Sequence, residues 1–366
     1  MRTRLSSNRK RGGIALVIVM ISIFVLTILA AGFAYSMKVE TRLAMRASNE
    51  SELQWLGRSG VEWAKWILAQ QLMINTEPYD SLDQVWAGGP GGLSNSNSPL
   101  ADLPEEIKLG SGVIKRPRIT DLDRKWNINT CGEMILTRAL QNMGAEGSES
   151  TAVVNAILDW IDRDDQTRVE GAESDVYQNF EPPYSAKNGP IDDISELLFI
   201  RGVTQEMYLG MSATNFQGGA YLQRMDRFGP RQKMPLFSAG LVDLFTPISG
   251  GKININTASA EVLMLIPGMD EQLAQLIVSA RSGSDDGTPM SMSGPFKNLT
   301  PNYLWAKVQG LSLEAARNLQ QFCDVRSRTF EVQVEVEIGG SKRTFHAILG
   351  RNNPRDVQLL SFYWKS

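Results

Sequence analysis

The sequence predicts an α+β protein: one long N-terminal helix, a small antiparallel sheet beside it, and a largely helical stretch between the sheet's first and last strands. Three observations predict it. No charged residue occurs from Ile14 to Met37 and no proline before Pro78, so an apolar helix runs on into an ordinary one. Near the other end Phe330, Val332, Val334, Val336 and Ile338 alternate with Glu331, Gln333, Glu335 and Glu337, the period-two pattern of a half-buried strand. Between these regions "KWNINT" (125–130) recurs as "KININT" (252–257), each followed by an apolar helical pattern, which implies two related helical modules.

The first element is a membrane helix. At about 1.5 Å per residue the run from Ile14 to Met37 crosses a bilayer core of roughly 30 Å. It is longer than the roughly 7 to 15 apolar residues of a cleavable secretory signal. Arg2, Arg4, Arg9, Lys10 and Arg11 precede it, with no acid among the first thirteen residues. The N-terminus is therefore expected in the cytoplasm and everything after Lys38 outside it. Beyond the membrane, Leu56, Gly60, Trp63 and Ile67 share one helical face, which places Trp63 in a core.

The later elements follow in order. "GGPGGLSNSNSP" (88–99) reads as a flexible loop, and 106–129 as short strands with a turn at 110–112. Gly339 and Gly340 turn the chain into a second strand through Phe345, Ala347 and Leu349; residues 357–364 supply a last one. His346 falls on the opposite face from Phe345, toward solvent or a polar neighbour.

Composition narrows the function. A chain of 366 residues allows two or three modest domains, and a net charge of −3 argues against a broad nucleic-acid footprint. The single histidine removes most His-based catalytic and metal arrangements, and no nucleophile, base and orienter stand together, so a non-enzyme is expected. Cys131 and Cys323 both fall on the exported side; one bridge and two buried thiols are equally open.

Two constellations carry chemistry. In the second module Thr257 reads as the N-cap of "ASAEVLMLI", and "PGMD" (267–270) turns the chain into "EQLAQLIVSAR", two helices flanking a tight turn. Such a helix-hairpin-helix offers backbone amides to phosphate in DNA-binding proteins, but Asp270 stands where a second glycine is usual and its charge would repel the phosphate. The other constellation is "LDWIDRDDQTRVEGAESDVY" (158–177). It gathers Asp159, Asp162, Asp164, Asp165, Glu170, Glu173 and Asp175, hard oxygen donors of the kind calcium takes. It opens like an EF-hand but has Thr167 in place of the required glycine; a solvated acidic surface is the plain alternative.

These stretches together resemble general secretion pathway protein K, the large minor pseudopilin of type II secretion systems. The match rests on "ILDWIDRDDQ", "GAESDVY", "PPYSAKNGPIDDISELLFIRGVT" (182–204) and "KININTASAEVL", and on an N-terminus similar to a type IV prepilin leader. The resemblance implies cleavage by a prepilin peptidase between Gly13 and Ile14, with methylation of the new terminus and retention of the helix. Most pilin-like proteins carry glutamate at the fifth mature position; here it is Ile18, and a cut after Gly12 would place Val17 there, also without an acid.

The resemblance also implies an architecture: a leader (1–13), a transmembrane helix (14–37), a pilin-like helix and first strands (38–129), two SAM-like helical modules (130–240 and 241–323) and C-terminal strands (324–366) completing a pilin-like sheet. It implies calcium in the helical insertion, with Asp162, Asp164, Glu173 and Asp175 as the chosen ligands and Asp159 or Asp165 as replacements. The expected setting is the inner membrane, single-pass, with a periplasmic main domain. Expected partners are the I and J minor pseudopilins, the prepilin peptidase, the inner-membrane assembly platform and membrane lipid. The expected role is non-catalytic, starting or capping a pseudopilus for export across the outer membrane. A membrane-anchored DNA-binding component of a competence or type IV pilus is the second reading.

Overall fold

A computed structural model describes residues 12–90, 99–145, 147–210, 239–282 and 294–364. Helix α1 (Gly12–Leu72) has 61 residues and is therefore about 90 Å long. In its first half Leu16, Ile18, Phe24, Leu29 and Phe33 are all exposed, so apolar side chains surround the helix with no protein against them. It is long and apolar enough to cross a membrane. From Leu53 onward a buried stripe appears, formed by Leu53, Leu56, Val61, Ala64, Ile67 and Leu68, with Trp63 partly buried beside it as expected.

That stripe lies on an antiparallel sheet. β1 (Glu106–Leu109), β2 (Gly112–Lys115), β8 (Thr329–Ile338), β9 (Ser341–Asn353) and β10 (Asp356–Trp364) are adjacent in that order, and β3 (Arg118–Asp121) shares with β2 the same edge of β8. The alternation expected in β8 is present: Phe330, Val332, Val334, Val336 and Ile338 face α1, and Phe345, Ala347 and Leu349 of β9 do likewise. His346 faces the other way, with Nδ1 3.1 Å from Glu331 and its ring stacked on Tyr363. Much of the loop expected at 88–99 lies outside the described residues.

Residues 126–324 are inserted between β3 and β8 and build a second hydrophobic core of their own. The insertion leaves the sheet at the end of α1 distal to the apolar half. There Arg351 of β9 donates to Leu68 O at 3.3 Å, and Leu122 N donates to Thr329 O at 3.0 Å, so the two ends of the insertion meet.

The repeated motif explains how each half closes. β4 (Trp126–Asn127) pairs in parallel with β5 (Phe245–Thr246), and β6 (Ile253–Asn254) pairs in parallel with β7 (Cys323–Asp324). In each copy the first asparagine accepts the amide two residues on, Asn129 N to Asn127 Oδ1 at 3.0 Å and Asn256 N to Asn254 Oδ1 at 2.9 Å. Its carbonyl then takes the next turn, from Cys131 N and Ala258 N, both at 2.9 Å.

The first half holds α2 (Gly132–Asn142), α3 (Gly147–Ile161), α4 (Ser174–Tyr177), α5 (Gln205–Leu209) and α6 (Leu241–Leu244). The second holds α7 (Ala260–Leu263), α8 (Glu271–Ser282), α9 (Pro301–Lys307) and α10 (Leu313–Phe322). One expectation is corrected. Thr257 is not the N-cap of α7: Ser259 is, its Oγ accepting from Val262 N, while Thr257 is buried with its Oγ1 2.5 Å from Asp121 Oδ2. The hydroxyl is drawn to a buried carboxylate from the sheet layer, a tertiary bond that overrides the local capping pattern.

Candidate metal centre

The acidic stretch begins where α3 ends. Asp159 on its last turn is fully buried and acts as an anchor for the loop that follows: its Oδ2 accepts Ala172 N at 2.9 Å and Arg168 N at 3.2 Å, and its Oδ1 accepts Arg168 Nη1 at 2.8 Å. Gly171 passes against this carboxylate without room for a side chain. Asp159 therefore shapes the loop rather than offering a free oxygen.

The loop then returns Glu173 beside the start of the stretch. One oxygen each of Asp162, Asp164 and Glu173 lies within 4.8 Å of the others. That separation suits a common hard cation, because oxygens on opposite sides of a calcium ion bound at about 2.4 Å stand about 4.8 Å apart. Glu173 is 2 % exposed, and neither of its carboxylate oxygens has a hydrogen-bond partner among the described residues; Asp162 Oδ1 is likewise buried without one. Burial first, then the charges of Asp159, Asp162, Asp165 and Asp164, push the Glu173 carboxyl up to about 7. A buried carboxyl with no donor beside other acids is a costly arrangement, and a cation is the group that would satisfy it. The residues present fit calcium.

Of the chosen ligands the structure brings together Asp162, Asp164 and Glu173. Asp175 stands outside this trio: it is exposed on the first turn of α4 and its Oδ1 accepts the Val176 amide at 2.8 Å. Asp165 accepts from Asn188 Nδ2 at 2.7 Å, and Arg168 forms ion pairs with Asp159 and Asp162. Asn188 escaped the sequence reading. It sits at φ 47°, donates to Asp164 O at 3.2 Å, and leaves its own Oδ1 buried without a partner among the described residues. Only asparagine's tolerance of the left-handed region hints at it in the sequence. Trp160, Tyr177 and Tyr184 form an aromatic block from the same segments, with Tyr177 5.3 Å from Trp160 and 5.2 Å from Tyr184 between ring centroids.

The remaining sequence-predicted residues fall elsewhere. Cys131 precedes α2 and Cys323 opens β7; both are free thiols here, and burial pushes the Cys131 thiol up to about 12. Gly13 and Ile14 lie on the first turn of α1, and residues 1–11 of the expected leader are outside the described residues.

The hairpin turn does not present a phosphate site. Asp270 Oδ1 accepts Leu273 N at 2.8 Å at the start of α8, so the protein's own carboxylate fills the place an anion would take. Arg281 is committed to Ile255 O at 2.7 Å, and Lys252 Nζ to Gln320 O at 3.2 Å.

Comparison with known proteins agrees with this architecture. A family model described as "Type II secretion system (T2SS), protein K" matches residues 119–213, which contain the whole acidic site, and a helix-hairpin-helix motif matches residues 249–285. Type II secretion system protein K of Pseudomonas aeruginosa is 24% identical over 97% of this chain and 93% of its own length. The Aeromonas hydrophila protein is 22% identical over 97% of both. The Klebsiella pneumoniae protein is 26% identical, a match covering 55% of this chain and 61% of that relative's length. In the crystal structure of the GspK–GspI–GspJ complex from enterotoxigenic Escherichia coli, a chain 17% identical superposes with a TM-score of 0.57 over 88% of this chain and 99% of that one, which shows a shared fold. Along nearly its whole length the chain is similar to type II secretion system protein K, and the family model covers the segment that holds the acidic site.

Proposed function

We propose that this protein is a non-catalytic minor pseudopilin that sits at the tip of a type II secretion pseudopilus and starts or caps its assembly for export across the outer membrane. The observation that carries this reading is the placement of the insertion. Residues 126–324 leave the sheet at the end of α1 farthest from its apolar half, so a wide head stands where another subunit would otherwise stack. Growth is then permitted only beneath it. Ile18 supports the same position: a buried glutamate in lipid demands a compensating group from a neighbouring subunit, and a chain without one makes no such demand.

In this reading prepilin peptidase cuts between Gly13 and Ile14, Ile14 is methylated, and α1 stays in the inner membrane with the main domain in the periplasm. The I and J minor pseudopilins and the inner-membrane assembly platform are the partners. Asp162, Asp164 and Glu173 hold calcium, which would knit the loop 162–173 of the head.

The ends of the insertion meet, so it is removable by a short linker from Lys125 to Val325 that preserves α1 and the sheet. Pseudopilus initiation and length should then become irregular in cells that supply the other components. Unchanged initiation and length would overturn the capping role. Intact mass of the membrane-purified chain, made beside a prepilin peptidase, checks the rest: loss of residues 1–13 with a methylated Ile14 is the expected result.

A further inference from the structure

Where the insertion joins the sheet lies a second acidic cluster, remote in sequence from the metal centre. Asp80, Asp121 and Asp123 are 1 %, 2 % and 2 % exposed. They come from the segment after α1, the end of β3 and the turn beyond it. Arg351 of β9, also buried, is the guanidinium among them, and its ion pair goes to Asp80, which accepts Ser327 N at 2.9 Å as well. Asp123 accepts two backbone amides, Gly250 N and Arg328 N, both at 2.6 Å.

Asp121 has neither arrangement. Its Oδ1 takes a single amide, Asp123 N at 2.8 Å, and its Oδ2 gathers neutral side chains: Thr257 Oγ1 at 2.5 Å, Ser327 Oγ at 2.6 Å and Asn254 Nδ2 at 3.2 Å. Three buried carboxylates beside one buried guanidinium leave surplus negative charge away from water, and the usual relief is for one acid to keep a proton. Asp121 is placed to be that acid. Hydroxyl groups donate or accept as required, so Thr257 and Ser327 serve it in both protonation states. Burial, then the Asp123 and Asp80 charges, hold its carboxyl near 7 despite those hydroxyls.

The partners of Oδ2 belong to different layers. Asn254 and Thr257 are the repeated motif of the second module, and Ser327 is the chain returning to β8. We propose that Asp121 is a protonation-sensitive latch between the sheet layer and the helical insertion, seating the insertion firmly when neutral and loosening it when ionised.

The charged groups around it are Asp80, Arg351 and Asp123, with Arg328, Lys252, Asp324 and Arg326 lining the open side at Asp123; among the described residues the second module meets Asp121 through neutral Asn254 and Thr257. The sign follows from the raised carboxyl. The folded protein holds a proton that the unfolded chain releases near pH 3.9, so seating is strongest on the acid side and weakens as pH rises through about 7.

Hydrogen exchange of the full-length protein in detergent micelles, corrected for the intrinsic pH dependence of amide chemistry, tests the latch between pH 5.5 and 8. The informative amides are Gly250 and Asn254, which donate from the insertion to Asp123 Oδ1 and Asp123 O. Their protection should fall by up to about tenfold per pH unit as pH rises toward about 7, the limit for one linked proton, and level off above it, and Asp121→Asn should flatten the profile. A flat wild-type profile, or a slope that survives in Asp121→Asn, overturns the proposal. Should that variant fail to fold, Ser327→Ala removes a donor that favours the ionised form and must move the midpoint to higher pH; an unmoved midpoint also overturns it.

Discussion

Gly171 lies against the Asp159 carboxylate: a β-carbon there would overlap Oδ2 and stand 3.0 Å from Cγ. The close pass is what lets a buried acid on α3 take the amides of Arg168 and Ala172 and so set the path of the loop that carries Glu173 back to Asp162. Gly171→Ala forces the loop away and orphans a buried carboxylate. It should destabilise the protein by about 1–3 kcal/mol, read as a lower urea midpoint, and Asp159→Ala should do comparable damage.

Calcium gives a separable test of the metal centre. The ion should raise the unfolding midpoint of the wild type, and a chelator should reverse the gain; at a hundred times its dissociation constant a bound ion adds about 2.7 kcal/mol. Glu173→Gln should abolish most of this response. Without calcium the same variant should be no less stable than wild type at pH 8, because it removes a buried charge that lacks a donor. Asp175→Asn should respond to calcium like wild type, since Asp175 stands outside the trio. A full response in Glu173→Gln would dismiss this ligand set.

The long helix meets the sheet through missing side chains. A β-carbon on Gly60 would overlap Val334 Cγ1 and stand 3.1 Å from Ile114 Cγ2. Gly60→Val should cost about 1–3 kcal/mol through overpacking, despite the better helix propensity of valine over glycine. Adding Val334→Ala should recover a measurable part of that loss. Strict additivity in the double variant would show that the two positions do not meet.

Much of this was legible in the sequence, and the exceptions have physical causes. The alternation of β8 and the apolar run of α1 are local patterns, so they predicted strand and helix directly, and the repeated K-x-N-I-N-T motif marked the two short parallel pairings that begin with it. Thr257 obeyed the local capping pattern in sequence and broke it in space, because the buried acid that claims it lies 136 residues away. Asn188 was invisible for the same reason: it joins the acidic loop from 23 or 24 residues downstream. Asp175 and Glu173 looked equivalent by composition, and only the fold exposes one and buries the other.

The DNA-binding reading makes a clear forecast. With Asp270 occupying the start of α8 and Arg281 committed to Ile255 O, the full chain in micelles should show no salt-dependent duplex binding at low ionic strength. Binding that is lost on neutralising Lys252 and Arg281 would restore that reading.

The repeat carries the last prediction, because its second asparagine does the same work twice. Asn129 Oδ1 accepts Ile191 N at 2.7 Å while Nδ2 donates to Ile191 O at 3.0 Å; Asn256 Oδ1 accepts Phe296 N at 2.7 Å while Nδ2 donates to Phe296 O at 3.0 Å. Each side chain thus mimics a strand, closing both backbone groups of one distant residue and pinning the far loop of its module. Asn256 is 2 % exposed and Phe296 is fully buried, whereas Asn129 is half-buried, so water reaches the Asn129 side chain although Ile191 is itself buried. Asn256→Ala should therefore cost more than Asn129→Ala, about 1–3 kcal/mol for each backbone group left unpaired away from water. Asn256→Asp separates the two bonds, since a carboxylate still accepts Phe296 N but offers nothing to Phe296 O. Chemical denaturation of the three variants checks the order, and equal losses at 129 and 256 would mean that burial does not set the strength of the pin.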